Sequence, residues 1–429
     1  MNLIGYFIVT IGIVNVVRML IYLLSSDIYF IKESFRKQND KQRRAYRPSI
    51  TVVVPAHNEG SIIIPTMESL QASNYPKSKM KIVVVDDGST DNTAQLVKNY
   101  VRKLQRSGQP YFATKVVRQP NHGKAEALNN GMRNYADTTL VMCLDADSLV
   151  DKEMIKNSAA YFRDRKVAAL ASNVNIMEDG SLLSLVQRFE YLISYHMKKA
   201  QTTLNIEYII GGIGSVFRRT VLKKVDFYDT NTMTEDIDLT MKIIAQGNKK
   251  FRVVYAADAL TYTEAVHTFN SLIKQRFRWK YGRMQTFLKN PRIFFNIDKK
   301  YSKQLTWAML PFAVLQELLF LVEPVVITYL IYIAIHYRDT STMLIAMTII
   351  TSYISLNVWS TLHLSRREKV RLTLLAPPMY FLMYMMSIVE YAALIQALIR
   401  LPKLKQSISG EKTTWKSPER ITEFQGANS

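Results

Sequence analysis

The chain has 429 residues, of which 48% are hydrophobic, and a formal net charge of +21. That length exceeds what a single hydrophobic core usually serves, so more than one compact unit is expected. One cysteine, Cys143, and six histidines without a His-x-x-x-His pair exclude a disulfide framework and a zinc cluster built on those side chains.

Residues 2–24 are apolar apart from Asn2, Asn15 and Arg18, and are long enough to cross a bilayer. No positive n-region or small-residue cleavage site precedes the polar part, so a retained anchor is expected rather than a signal peptide. Arg18 is awkward in mid-span and is expected to snorkel or to pair with a carboxylate of a neighbouring helix. Lys32, Arg36, Lys37, Lys41, Arg43, Arg44 and Arg47 follow immediately. A juxtamembrane basic cluster marks the cytoplasmic side and meets the anionic leaflet. The excess charge is therefore assigned to membrane lipid, and no nucleic-acid partner is expected.

From Pro48 to about Asp258 the pattern changes to short β-branched runs between helix-favouring segments. Strands are predicted at Ile50–Val54, Ile82–Val85, Tyr111–Val117, Leu140–Leu144, Val167–Ala171 and Arg252–Ala256, with helices such as Ser61–Gln71 and Asp91–Leu104. Continuous rather than alternating apolar strands indicate a sheet covered on both faces, an α/β domain. Two further segments, Leu182–Leu204 and Ser271–Leu288, place apolar residues at helical spacing among charges. They are expected to lie in the membrane surface under the domain, although soluble helices packed on a core give the same pattern.

Three more apolar blocks follow, at about 308–335, 342–363 and 373–399. The loop with Arg366, Arg367, Lys369 and Arg371 reads as cytoplasmic, as does the segment 32–303. Parity of the blocks then sends the tail after residue 400 outside, yet the tail opens with Arg400, Lys403 and Lys405. The two rules conflict. The expected organisation is an anchor at 1–31, a catalytic domain at 32–303, about three membrane helices at 304–400 and a tail at 401–429. Glu317, Glu323 and Glu390 fall within the apolar blocks, as polar linings of a path or as glue between helices.

Five polar constellations carry the chemistry. Pro55–Ala56–His57–Asn58–Glu59 and Asp86–Asp87–Gly88–Ser89–Thr90–Asp91 each follow a strand directly. Carboxylates on such turns can accept from ribose or base donors, or simply cap helices. Asp145–Ala146–Asp147 ends a buried strand, where two carboxylates suit a hard divalent cation, Mg²⁺ or Mn²⁺, bridging a diphosphate. Thr234–Glu235–Asp236 enters an apolar-periodic segment. Thr234 can cap that helix, and either acid could serve as a general base. Gln275–Arg276–Phe277–Arg278–Trp279 brings a cation for a leaving diphosphate and an aromatic face for a sugar ring.

In this order, and between membrane segments, the five motifs resemble those of the family 2 inverting glycosyltransferases that polymerise polysaccharides. These include poly-N-acetylglucosamine, hyaluronan, cellulose and chitin synthases. The resemblance runs from about residue 48 to Trp415–Lys416–Ser417–Pro418–Glu419–Arg420. It implies a GT-A type nucleotide-sugar-binding domain with a mostly parallel sheet, flanked by transmembrane helices. By position it implies that Ala56, Glu59 and Asp87 hold uridine, with Lys124 near the nucleotide. Asp145 and Asp147 would hold diphosphate and metal, and Asp236 would be the base with Glu235 beside it. Gly212, Gly214 and Ser215, in Gly211–Ser215, would shape the acceptor site. Gln275, Arg278 and Trp279 would clasp the diphosphate and the polymer end. Glu264 matches an acidic position that relatives follow with proline, where this chain has Ala265.

The implied activity is processive, inverting transfer from a UDP-sugar to a growing β-linked polysaccharide, coupled to translocation. UDP-N-acetylglucosamine is favoured by the stretch Thr234–Thr240, and an accessory export or regulatory subunit is compatible with it. Non-processive transfer to a lipid or oligosaccharide, and a catalytically silent scaffold, are the competing classes.

Overall fold

The computed structural model describes residues 3–338 and 340–402, so the Trp415–Arg420 motif lies outside the described residues. The chain opens with a long helix, α1 (Leu3–Asn39), and a short one, α2 (Lys41–Ala45). Four strands follow, β1 (Ile50–Ala56), β2 (Met80–Asp87), β3 (Ala113–Gln119) and β4 (Leu140–Cys143). Helices α3 (Ile63–Gln71), α4 (Thr93–Arg106) and α5 (Lys124–Asn130) connect them. Next come β5 (Leu149–Val150), α6 (Met154–Tyr161), β6 (Val167–Met177), α7 (Leu182–Leu204), β7 (Ser215–Arg218) and α8 (Arg219–Lys224). Helix α9 (Glu235–Ala245), β8 (Arg252–Glu264) and α10 (Phe269–Lys289) close the domain. Helices α11 (Leu310–Phe320), α12 (Glu323–His336), α13 (Ser341–Ser360) and α14 (Arg366–Ile399) form the remainder.

The strands make one sheet in the order β3-β2-β1-β4-β7-β6-β8-β5. Pairs β1–β2, β2–β3, β1–β4 and β6–β8 are parallel, whereas β7 is antiparallel to both neighbours and β5 is antiparallel to β8. Alternate residues of one strand enter different cores. Val53 faces Leu128, Met132 and Leu239, while Val52 and Val54 face Ile63, Met67 and Leu70. Both faces are buried, which is why these strands are apolar without alternation.

Several boundaries differ from expectation for local reasons. β3 starts at Ala113 because the Gln71 side chain takes both backbone groups of Phe112, donating to its carbonyl at 3.0 Å and accepting from its N–H at 2.7 Å. Strands β6 and β8 run on as a paired ribbon to Met177 and Glu264, well beyond the predicted ends. β7 was not predicted; its four residues complete the sheet between β4 and β6.

The amphipathic helices are built as read, but they pack on other helices. Leu183, Val186, Phe189 and Leu192 of α7 and Leu272 of α10 share a core with Ile354 and Val358 of α13 and Met379 and Val389 of α14. Three described helices, α1, α13 and α14, are long and apolar enough to span, and α11 with α12 form a further candidate span broken by a 54° bend. The chain is a multi-pass membrane protein with a catalytic domain outside the apolar segments. Among the described residues Arg18 pairs with no carboxylate; its guanidinium lies 5.2 Å over the Phe312 ring.

Contacts also bear on the parity conflict. The loop before α14 and the first turns of that helix meet the catalytic domain, through His363 to Asn175 at 2.9 Å, Glu368 to Arg188 at 2.8 Å and Arg371 to Glu178 at 2.6 Å. The far end of α14 returns to it as well, with Arg400 4.8 Å over the Phe277 ring and Ala393 and Ala397 packed on Phe277 and Tyr281. Both ends of α14 therefore make contacts with helices of the 32–303 segment.

Helix α10 presents Arg276, Lys280 and Arg283 at helical spacing to three carboxylates. Arg276 meets Glu190 of α7 at 2.7 Å and Glu390 of α14 at 3.4 Å. Lys280, only 2% exposed, meets Glu390 at 2.9 Å and Glu317 of α11 at 2.8 Å. Arg283 closes on Glu317 at 2.6 Å. Glu317 and Glu390 thus tie α11 and α14 to α10, which takes the place expected of Arg18, and both also line a cavity. Removing one member of a buried network strands its partners without solvation. Lys280→Met is accordingly expected to destabilise the protein by about 3–5 kcal/mol, read as a clearly lowered midpoint of thermal unfolding in detergent; an unchanged midpoint would show the network to be dispensable.

Candidate active site

The first half of the site is made by turns after parallel strands. Asp86 is buried at the end of β2, accepting from the Ser89 N–H at 3.0 Å and facing Arg118 at 3.3 Å. Asp87 next to it accepts from Gln119 at 2.8 Å, the His122 N–H at 2.9 Å and the Gly123 N–H at 2.8 Å. Most of its acceptor capacity goes to the 119–123 loop, which it pins so that α5 starts at Lys124. Gly88 has φ +69°, and a Cβ there would stand 2.7 Å from the Asn121 nitrogen, so the turn admits only glycine. Ala56 is buried, and Glu59 anchors its own N–H on Thr93 at 3.0 Å. Asn58, at φ +56°, accepts from the Thr90 N–H at 2.8 Å, joining the two acidic turns.

The second half is a cavity of about 650 Å³ that brings together Lys124, Asp145, Asp147, Glu235, Asp236 and Gly212. Gln275, Arg278 and Trp279 of α10 form another wall. Lys124 Nζ bonds Asp145 at 2.6 Å and stands 3.8 Å from Glu235. Burial works against the Lys124 charge, but Asp145 and Glu235 outweigh it and raise its pKa. Burial first, and the adjacent Glu235 charge second, push the Asp236 carboxyl up to about 6, against the pull of Lys124 and Arg278. Asp236 Oδ1 accepts from the Ile237 N–H at 2.8 Å. A methyl on Gly212 would lie 3.4 Å from Lys124 Nζ and 3.8 Å from Asp236 Oδ2, so this loop touches the reacting charges. The loop is tied to α9, since Thr240 Oγ1 donates to the Asp236 carbonyl at 2.7 Å and accepts from the Ile210 N–H at 3.2 Å.

Not every expected residue reaches the cavity. Ser215 lies in β7 opposite Cys143 and is fully buried, because the chain turns into the sheet directly after Gly214. Ala56, Glu59, Asp87 and Gly214 likewise stand outside its lining. Trp279 does line it, with the Arg276 guanidinium 4.2 Å over its ring. Thr234 precedes α9 as expected, but its side chain makes no capping bond.

Among the described residues there is no group of three or more His, Cys, Asp or Glu side chains that could hold a metal. Asp145 and Asp147 form a two-carboxylate donor set. That suits an ion completing its shell with phosphate and water, and not an all-protein cage.

The profile described as glycosyltransferase-like family 2 matches residues 48–282, more than half of the chain. The chain belongs to that family. Among characterised relatives, a poly-β-1,6-N-acetyl-D-glucosamine synthase of Staphylococcus aureus strain COL is 32% identical over 283 residues, 63% of this chain and 64% of the relative. The chain thus spans just under two thirds of that relative in the match. The synthase of the same name from Staphylococcus epidermidis is 27% identical over 421 residues, 94% of this chain and 96% of the relative. A solved mannosyltransferase of Pyrobaculum calidifontis, bound to GDP-mannose and Mn²⁺, superposes with a TM-score of 0.55 at 19% identity, covering 89% of this chain and 98% of that one. The last match bears on the fold alone, and it supports the GT-A type domain.

One structural residue of this family 2 domain escaped the sequence reading. Gly282 of α10 sits against Thr234, where a Cβ would stand 2.2 Å from Thr234 Oγ1. Close packing of α10 on the start of α9 therefore requires glycine, and its only sequence signal was a glycine inside a helical pattern. Gly282→Ala is expected to shift Glu235 and Asp236 and lower turnover by about tenfold or more, since small misplacements at a reacting centre are costly. Nucleotide affinity should be retained, and normal turnover in the folded variant would show that the contact does not position the acids.

Proposed function

We propose that the protein is a processive, inverting glycosyltransferase that adds N-acetylglucosamine from UDP-N-acetylglucosamine to the growing end of a β-linked polysaccharide. The observation that carries this is one continuous cavity. It contains Asp145, Asp147, Asp236 and Trp279 and extends to Glu317 and Glu390 on helices of the membrane region. A reacting centre that opens toward those helices suits a product that stays bound while it lengthens. The names of the staphylococcal relatives support the sugar. Family membership supports cytoplasmic placement, where nucleotide sugars are made available.

In this reading Asp236 removes the proton from an acceptor hydroxyl, which attacks the anomeric carbon opposite the leaving diphosphate. No enzyme nucleophile is needed. Asp145 and Asp147 would hold Mg²⁺ or Mn²⁺, which supplies positive charge for the diphosphate. Lys124 and Arg278 add fixed cations on the same side, and the low dielectric of the cavity strengthens them. Trp279 offers the acceptor ring an apolar face. Membrane lipid surrounds the spans, and an export or regulatory subunit would join at surfaces outside the site.

The decisive test supplies purified protein in lipid with labelled UDP-sugars and Mg²⁺ or Mn²⁺, then sizes the product. Long polymer from UDP-N-acetylglucosamine is expected; single-sugar products would favour a non-processive transferase. Asp236→Asn should lose at least about a hundredfold in rate, the scale of a missing general base, while UDP still binds. Substantial turnover by that variant would remove Asp236 from its role.

The Asp236 pKa sets a pH limb. The base acts only when ionised, so kcat/KM should fall about tenfold per pH unit below about 6, with the apparent value belonging to the Glu235–Asp236 pair. A profile that is flat down to pH 5 would contradict the assignment.

A further inference from the structure

One wall of the catalytic cavity takes no part in the transfer step. It is a face of α7, where Glu190, Tyr191, Ser194 and Lys198 recur at helical spacing and all line the cavity. The two charged members are already paired. Glu190 holds Arg276 of α10 at 2.7 Å. Lys198 Nζ donates to the Ile209 carbonyl at 3.1 Å and stands 3.5 Å from Glu207.

Tyr191 and Ser194 stand between those two pairs and are different. Both side chains are half-buried, and both hydroxyls keep accessible surface. Neither makes a hydrogen bond with any described residue. A helical serine or threonine commonly bonds a carbonyl one turn back. Ser184 and Thr203 of this same helix do so, at 2.9 and 3.1 Å, and Ser194 does not. Burial pushes the Tyr191 hydroxyl up to about 12, so it stays protonated and can both donate and accept.

The chemistry narrows the guest. The charges on this wall are neutralised in pairs, so a diphosphate gains little there, whereas a neutral guest rich in hydroxyls finds two open partners and an aromatic ring. Position agrees with sugar already joined to the chain. At one end Lys198 is bonded to Ile209, which opens the loop whose Gly212 stands beside Lys124 and Asp236. At the other, Glu190 holds Arg276, whose guanidinium covers the Trp279 ring at 4.2 Å. From Tyr191 to Lys198 the helix rises about 10 Å, at 1.5 Å per residue. The two free hydroxyls thus lie along a lane that joins the acceptor loop to Trp279.

We propose that Tyr191 and Ser194 form a product subsite on α7, binding a sugar unit behind the reacting end of the chain. The Tyr191 ring takes a C–H face of that sugar, and the two hydroxyls bond its hydroxyl or N-acetyl groups. The proposal rests on the transferase reading above and adds to it a site that retains the product between additions.

The test uses the full-length protein in lipid nanodiscs, a short β-linked N-acetylglucosamine oligomer, and the variants Tyr191→Ala, Tyr191→Phe and Ser194→Ala. Oligomer binding is measured by calorimetry with UDP present, beside the KM for the oligomer and for the UDP-sugar. Tyr191→Phe and Ser194→Ala keep the packing and should each bind the oligomer about fivefold more weakly, the loss of one hydrogen bond between neutral groups. Tyr191→Ala, which also removes the ring, should lose about tenfold or more, and all three should make shorter product. UDP affinity and the UDP-sugar KM should stay unchanged. Equal oligomer affinity in wild type and variants, no oligomer binding by wild type, or a parallel loss of UDP affinity would each overturn the subsite. A wild type that binds the oligomer through these residues yet makes no product would instead defeat the transferase reading and leave the subsite standing.

Discussion

Lys280 lies almost wholly out of water between Glu317 and Glu390, flanked along α10 by Arg276 and Arg283. Each charge in this network is expensive to bury and tolerable only because its partners are in place. The arrangement fixes the azimuth of α10 against α7, α11 and α14 at once. Rotating the helix by one residue would leave several buried charges unpaired. Apolar packing alone would be more forgiving, because Leu272 and Phe277 could find other neighbours.

That azimuth matters because neighbouring residues of the same helix line the candidate site. With Arg276, Lys280 and Arg283 turned to the carboxylates, Gln275, Arg278 and Trp279 are delivered to the catalytic cavity and Gly282 to the start of α9. One helix therefore couples the membrane region to the position of Glu235 and Asp236. The sheet supplies the complementary half, since Lys124 and Asp145 stand at the ends of elements held by parallel strands and a pinned loop. A carboxyl with a raised pKa, the Lys124 and Arg278 cations and the Asp145–Asp147 pair meet there without any one element carrying them all.

Under the proposed function, the cavity would let the protein hold a polar product beside apolar helices. Its lining joins the acids beside Lys124, the ion network of α10 and apolar residues such as Ile176 and Ala265. Sugar rings likewise combine hydroxyl edges with C–H faces. The face of α7 that carries Tyr191 and Ser194 belongs to this lining.

Much was legible from residue order alone. Continuous apolar strands reported a sheet covered on both faces, and helical spacing located α7 to the residue. Short acidic motifs at a strand end marked Asp145 and Asp147, and one at a helix start marked Glu235 and Asp236, because local backbone geometry sets where such side chains stand. What the tertiary structure decided was pairing. Glu190 and Arg276 are 86 residues apart and Glu317 and Lys280 are 37 apart, and nothing in either neighbourhood names the other. The same holds for Ser215, drawn into the sheet by β4, for the return of α14 to the domain, and for Gly282 against Thr234. Periodicity records which way a side chain faces its own element, whereas the partner of a charge or the space beside a glycine is fixed only when distant segments meet.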